Sequence, residues 1–149
     1  MPRSFLRAAC VALALVPALA GAAPACLPTV EGAWIRTPPP GAAMLAGYAV
    51  VRNDCSAPIT LVGAESTQFH MVSIHRTVEE GGMSRMRPAG DITVAAGAST
   101  EFAPGGAHLM LMHPAQAIAD GETVAIDLLL ADGRRITARF VVRREAPRD

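Results

Sequence analysis

The chain has 149 residues, of which 51% are hydrophobic, 17% are charged and 4% are aromatic, and its formal net charge is zero. This length predicts one domain with a single core, and the apolar content excludes intrinsic disorder. All 13 basic residues are arginine, and they form no run longer than two, which argues against a nucleic-acid-binding surface.

The first twenty residues have the pattern of an export signal. Arg3 and Arg7 precede a run of thirteen uncharged residues that ends at Ala20, where small residues suit a signal peptidase. The run is too short to span a bilayer. We therefore predict a signal peptide over residues 1–20, with cleavage as late as Ala25 as the alternative, and a periplasmic location. A lipoprotein acylated at Cys26 is a weaker alternative, because the −3 and −2 residues of a cleavage site before Cys26 would be alanine and proline.

Cysteine usage fits an exported protein. Cys10 lies within the signal, which leaves Cys26 and Cys55 in the mature chain. Two cysteines in an exported domain predict a disulfide, here one that ties the mature N-terminus to the loop after a strand. A reactive or metal-binding pair would call for C-x-x-C spacing or a nearby histidine, and the sequence has neither.

Short apolar runs separated by Gly, Pro, Asn and Asp recur throughout the remaining sequence, and they predict an all-β sandwich or barrel over residues 26–145. Asp132-Gly133 between two alternating runs predicts a hairpin. Ten strands are predicted: Glu31–Arg36, Ala46–Asn53, Ile59–Glu65, Gln68–Arg76, Met83–Arg87, Ile92–Val94, Ser99–Phe102, His108–Met112, Thr123–Leu130 and Arg135–Arg143.

Histidine and methionine are concentrated in one third of the chain. All four histidines, and five of the six methionines that follow the signal, lie between positions 70 and 113. The two-residue period of a strand places His108, Met110 and Met112 on one face and the two intervening leucines on the other. The leucines are predicted to pack inward, so His108 and Met110 are predicted to face the surface. The carboxylates are scattered singly, and the sequence contains no hydrolase or nucleotide-binding motif, which argues against a hydrolase or a nucleotide-binding protein.

The same period divides the other strand that carries two histidines. His75 shares a face with Met71 and is predicted near the end of its strand, where a site can open to solvent. His70 falls on the opposite, apolar face and is predicted to be packed. We interpret Met44 and Met71 as core filler and His113 as a solvated loop residue.

Four of these residues stand at the spacing of a known family. The sequence reads His75, ten residues, Met86, twenty-one residues, His108, one residue and Met110. This spacing resembles the H-x10-M-x21-H-x-M signature of the PCu(A)C family of periplasmic copper chaperones. The resemblance extends over about residues 29–143, and it implies that these four side chains are the metal ligands.

The ligand types indicate the ion independently of the family. Thioether sulfur is neutral and soft, and together with imidazole it selects Cu(I) over harder ions. Met83 and Met112 are candidates for auxiliary metal ligands. Because a thioether binds less tightly than a thiolate, the ligands of a recipient can replace it, which suits copper transfer.

The resemblance also implies a fold and partners. It implies a cupredoxin-like Greek-key β-sandwich or barrel, a non-enzymatic role, and delivery of copper to cytochrome c oxidase with a Sco-type protein. A periplasmic copper buffer without a dedicated recipient needs the same site and is the alternative. A thiol oxidoreductase that uses Cys26 and Cys55 is a remote alternative. A blue copper protein would need a cysteine ligand near the histidines, which the sequence lacks.

Overall fold

A computed structural model describes residues 26–147, so the predicted signal peptide, its alternative cleavage sites and Cys10 lie outside the described residues. This part of the chain contains no helix, and therefore none long and apolar enough to cross a membrane. All ten predicted strands are present: β1 Thr29–Arg36, β2 Met44–Arg52, β3 Ile59–Glu65, β4 Phe69–Glu80, β5 Met83–Pro88, β6 Ile92–Val94, β7 Ser99–Phe102, β8 Ala107–Pro114, β9 Thr123–Leu130 and β10 Arg135–Arg143.

The strands form one sheet in the order β5-β4-β8-β7-β2-β1-β10-β9-β3-β6. β1 pairs with β10 in parallel and β7 pairs with β8 in parallel, whereas the other neighbours are antiparallel. β2 changes partner along its length, because Met44–Gly47 pair with β8 and Ala49–Arg52 pair with β7. The sheet encloses a single hydrophobic core drawn from nine of its strands, which confirms the predicted all-β class.

The last hairpin shows how the sequence specifies this core. Gly133 has a positive φ of 85° in the turn between β9 and β10, a conformation that glycine adopts without steric cost. On both strands every second residue is buried, as the alternation predicts. These residues are Val124, Ile126, Leu128, Leu130, Ile136, Ala138, Phe140 and Val142.

The N-terminal end of the described chain is fastened to the loop after β2. Cys26 and Cys55 form the predicted disulfide, so in this form the Cys26 sulfur is not free to be acylated. Asn53 beside it is fully buried, and its side-chain amide donates to the carbonyl oxygens of Ala57 at 2.9 Å and Val94 at 3.0 Å. The loop is therefore held by both a covalent bond and buried hydrogen bonds.

β4 is longer than predicted. The sequence predicts its end at Arg76, but the strand continues to Glu80 and pairs with β5 in an exposed hairpin. The charged residues that suggested a loop instead form cross-strand ion pairs, such as Arg87 with Glu80 at 2.8 Å. His75 therefore lies within the strand rather than near its end.

Candidate metal centre

Three adjacent strands, β5, β4 and β8, carry the four predicted ligands on one face. His75 on β4 and His108 on β8 are directly opposite each other in the antiparallel register. Met110 follows His108 by two residues, and Met86 on β5 pairs with the residue two positions beyond His75. Because residues two apart along a strand point to the same side, the register assigns all four to one face of the sheet.

Three of these four side chains line one cavity. The His75 ring lies beside it, with its centroid 6.4 Å from that of the His108 ring and the two planes nearly perpendicular at 86°. His108 is only 3% exposed and Met110 is half-buried, whereas Met86 is 64% exposed. The cavity has a volume of about 230 Å³ and is lined by Met86, His108, Met110 and, from β2, Met44, Leu45 and Ala46.

Both histidines present buried ring nitrogens without a hydrogen-bond partner. Nδ1 of His108 lies 3.1 Å from the Gly106 carbonyl oxygen, which can only accept, so Nδ1 carries the proton and donates it. Nε2 of His108 then finds no hydrogen-bond partner among residues 26–147, and Nδ1 of His75 has none there either. Buried polar atoms are nearly always paired, so two orphans side by side indicate a site for a ligand. A histidine that ligates a metal usually donates its other nitrogen to such a carbonyl.

The protonation state of His75 also suits a metal ligand. Burial lowers the pKa of His75 below its ordinary value, and the positive charge of a protonated His108 would lower it further. Both effects favour the neutral imidazole, which is the form that binds a metal ion.

The inner face of the same strands fixes the positions of these side chains. Leu109 and Leu111 are 1% and 0% exposed, and they lie on the face opposite that of His108, Met110 and Met112, as predicted. Gly47 on β2 lies against them, and a Cβ at this position would come within 3.4 Å of the Leu109 Cβ. The absence of a side chain lets β2 approach β8 closely, so β8 is held on a tightly packed layer.

Two predictions about histidine burial are wrong. His70, predicted to be packed, is exposed, and its ring lies 6.3 Å from that of His113, which is also exposed as predicted. The alternation fails at this end of β4 because Phe69 takes the buried position. His108, predicted to face the surface, is buried because it lines the inner part of the cavity.

The interpretation of Met44 and Met71 as core filler is also wrong. Their side chains are 59% and 50% exposed. They belong to the outer face of β2 and β4, which is open to solvent at these two positions. Sequence reasoning therefore missed Met44 as a residue that lines the cavity, since the signature contains no position on β2.

The two auxiliary candidates have different positions. Met112 follows Met110 by two residues and shares its face. Met83 pairs with Glu80 at the tip of the hairpin, and the strand alternation assigns it to the face opposite Met86. The structure therefore brings Met112 to the same face as the four predicted ligands and leaves Met83 outside the site.

The donor set is soft. Across residues 26–147 there is no cluster of three or more His, Cys, Asp or Glu side chains able to hold a metal ion. The site combines two imidazoles with neutral sulfur, a set that matches Cu(I) and does not suit magnesium or calcium.

Comparison with known families agrees with this geometry. A family model described as "Putative lipoprotein LpqE-like" matches residues 28–142. The chain belongs to the LpqE-like family. This family is the PCu(A)C family, so the predicted family resemblance is confirmed. A curated relative in Leifsonia xyli, also described as a putative lipoprotein, is 32% identical over 105 residues, and the match spans 70% of this chain and 62% of the relative.

Solved structures of the family share the fold. The solution structure of Cu(I)-bound DR1885 from Deinococcus radiodurans is 31% identical to this chain, covers 86% of each chain and has a TM-score of 0.65. The copper-bound PCuAC domain from PmoF2 is 24% identical, covers 79% of this chain and 92% of its own, and has a TM-score of 0.62. These family members confirm the predicted cupredoxin-like fold.

Proposed function

We propose that this LpqE-like protein is an exported Cu(I) chaperone that carries copper and transfers it to a partner by ligand exchange. The ion would be held by His75, Met86, His108 and Met110. The observation that carries the proposal is the pair of buried, unpartnered imidazole nitrogens in the described chain, set beside a cavity lined by two of the predicted thioethers. The relative DR1885 is described as Cu(I)-bound, which supports Cu(I) as the ion. Members of the family are copper-binding chaperones and not enzymes, which supports the chaperone role.

The unequal exposure of the ligands supports a direction for transfer. His108 is 3% exposed, whereas Met86 is 64% exposed and lies on the hairpin strand β5, whose residues are all exposed. An incoming ligand can reach the ion from the Met86 side, so Met86 is the ligand that leaves first. The two histidines and Met110 then hold the ion until the recipient has bound it, and the oxidation state does not change.

The proposal also includes a cellular location for the protein and a recipient for its copper. We place the protein in the periplasm, on the predicted signal and on the lipoprotein descriptions of its family and its curated relative. The recipient we propose is the copper centre of cytochrome c oxidase, with a Sco-type protein as a second partner, as the family resemblance implies. The alternative is a copper buffer with no dedicated recipient, which would use the same four ligands.

Competition of the reduced protein against a chromogenic Cu(I) chelator tests the site. Changing His75 or His108 to Ala, or Met86 or Met110 to Leu, should weaken binding in each case. Met83→Leu is the matched control for Met86→Leu, because both side chains are exposed on β5 but they occupy opposite faces. Equal affinity in the wild-type protein and all four ligand variants would contradict the assigned site.

A gene deletion separates a carrier from a buffer. If the protein delivers copper, the deletion strain should lose cytochrome c oxidase activity at low copper, and added copper should restore it. A strain with normal oxidase activity but greater sensitivity to copper would favour the buffer.

A further inference from the structure

Three methionines outside the four-ligand set form a row across the outer face of the sheet. Met112 on β8 pairs directly with Met71 on β4 and with Met44 on β2. The three residues therefore occupy one line across three neighbouring strands. Met44 and Met71 are half or more exposed and Met112 is half-buried, so the row faces solvent.

The register allows the three sulfurs to meet. Residues directly opposite each other on antiparallel strands have Cβ atoms about 4.5–5.5 Å apart. Methionine is unbranched and has three rotatable bonds, so the outer two side chains can bend towards the sulfur of Met112. Three neutral thioethers form a soft set of ligands that suits Cu(I).

The row adjoins the four-ligand site. Met44 lines the same cavity as His108 and Met110, and Met112 follows Met110 by two residues on the same face. Ser73 lies between the row and His75 on β4, and its buried hydroxyl oxygen has no hydrogen-bond partner in the described part of the chain. The four-ligand site and the methionine row therefore lie next to each other on one continuous surface.

We infer that Met44, Met71 and Met112 form a second Cu(I) site, at which an ion binds before it enters the four-ligand site or after it leaves. The ion binds through three sulfurs in the row and exchanges them for imidazole nitrogen as it moves to the cavity. The second site is the weaker of the two, because it is open to solvent and lacks imidazole. Its role in delivery rests on the proposed function, whereas its ability to bind copper does not.

Anaerobic titration with Cu(I), followed by NMR of ¹³C-labelled methionine methyl groups, tests the inference. The first equivalent should shift the methyl signals of Met86 and Met110. The second should shift those of the row: Met44, Met71 and Met112. The variant Met71→Leu should weaken binding of the second equivalent and keep the affinity of the first. Met44 and Met112 stay unchanged, because Met44 lines the cavity and Met112 is a candidate auxiliary ligand of the first site. Leucine keeps the volume of the Met71 side chain.

Met83→Leu is the matched control and should still bind both equivalents. A wild-type protein that binds a single equivalent would overturn the second site, as would a Met71→Leu variant that binds the second equivalent with wild-type affinity. If the first equivalent leaves Met86 and Met110 unshifted while the second shifts the row, the four-ligand proposal fails and the second site stands. Row signals that shift only when a protein partner is added, and not with copper, would identify a docking surface and would also overturn the inference.

Discussion

The two faces of β4 and β8 carry opposite chemistry on the same backbone. The inner face presents Val72, Ile74, Leu109 and Leu111, all of them buried. The outer face presents the histidines and methionines of the site, and it includes buried nitrogens with no partner among residues 26–147. Since alternate residues of a strand point to opposite sides, stability and metal binding are assigned to different residues along one segment. Substitutions on the two faces should therefore have separable effects.

The largest effect is expected on the inner face. Leu111 is 0% exposed, so Leu111→Ala removes buried methyl groups and leaves a cavity. The free energy of unfolding of the copper-free protein should fall by about 3–5 kcal/mol. Urea denaturation measures this change, and a loss below about 1 kcal/mol would show that the inner face is not the stabilising one.

The disulfide should affect stability without affecting copper. Cys26 and Cys55 are 29 residues apart in sequence, so the bond restricts the unfolded chain. The double variant Cys26→Ser/Cys55→Ser should lose about 3 kcal/mol of unfolding free energy. At temperatures where this variant is still folded, it should bind Cu(I) with wild-type affinity in chelator competition. A loss of copper affinity in the folded variant would connect the cysteines to the site and favour the thiol-based alternative.

The outer face should show the reverse behaviour. Met110→Leu keeps the volume of a half-buried side chain, so the unfolding free energy should change by less than about 1.5 kcal/mol. Loss of a direct ligand should weaken Cu(I) binding by more than about 100-fold, since even residues behind metal ligands contribute 10–100-fold. Paired urea denaturation and chelator competition measure both quantities. A Met110→Leu variant that loses several kcal/mol of unfolding free energy but keeps its copper affinity would mean that the two faces have been assigned in reverse.

The smallest effect is expected at His70. This side chain is exposed at the end of β4, where it neither packs in the core nor reaches the cavity. His70→Ala should change the unfolding free energy by less than about 0.5 kcal/mol and leave Cu(I) affinity unchanged. A large loss of copper affinity would contradict the assigned register of β4 and indicate that it is wrong by one residue.

The sequence predicts the strands well, because apolar alternation and Gly, Pro or Asp turns specify them locally. All ten strands are present, and β3, β6, β7, β9 and β10 have the predicted ends. β4 was predicted too short because Glu79 and Glu80 resemble loop residues. Their stabilising partners lie on β5, and the sequence does not show which residues a strand end will face.

The site was predicted from ligand spacing, whereas the burial of its residues was not. The spacing of His75, Met86, His108 and Met110 identified the family, which the family model confirms. Sequence periodicity gives the face of a strand but not whether another layer covers that face. For this reason the sequence predicts Met44 and Met71 in the core, whereas both are exposed. The contact from His108 to the Gly106 carbonyl was likewise visible only in three dimensions.

X-ray absorption at the copper edge, on the reduced protein loaded with one equivalent of Cu(I), tests the four-ligand site most directly. In the wild-type protein we expect the copper ion to be coordinated by two imidazole nitrogens and two thioether sulfurs. In the Met86→Leu variant one sulfur should disappear while both nitrogens remain. A wild-type shell without sulfur, or a shell that Met86→Leu leaves unchanged, would contradict the proposed centre.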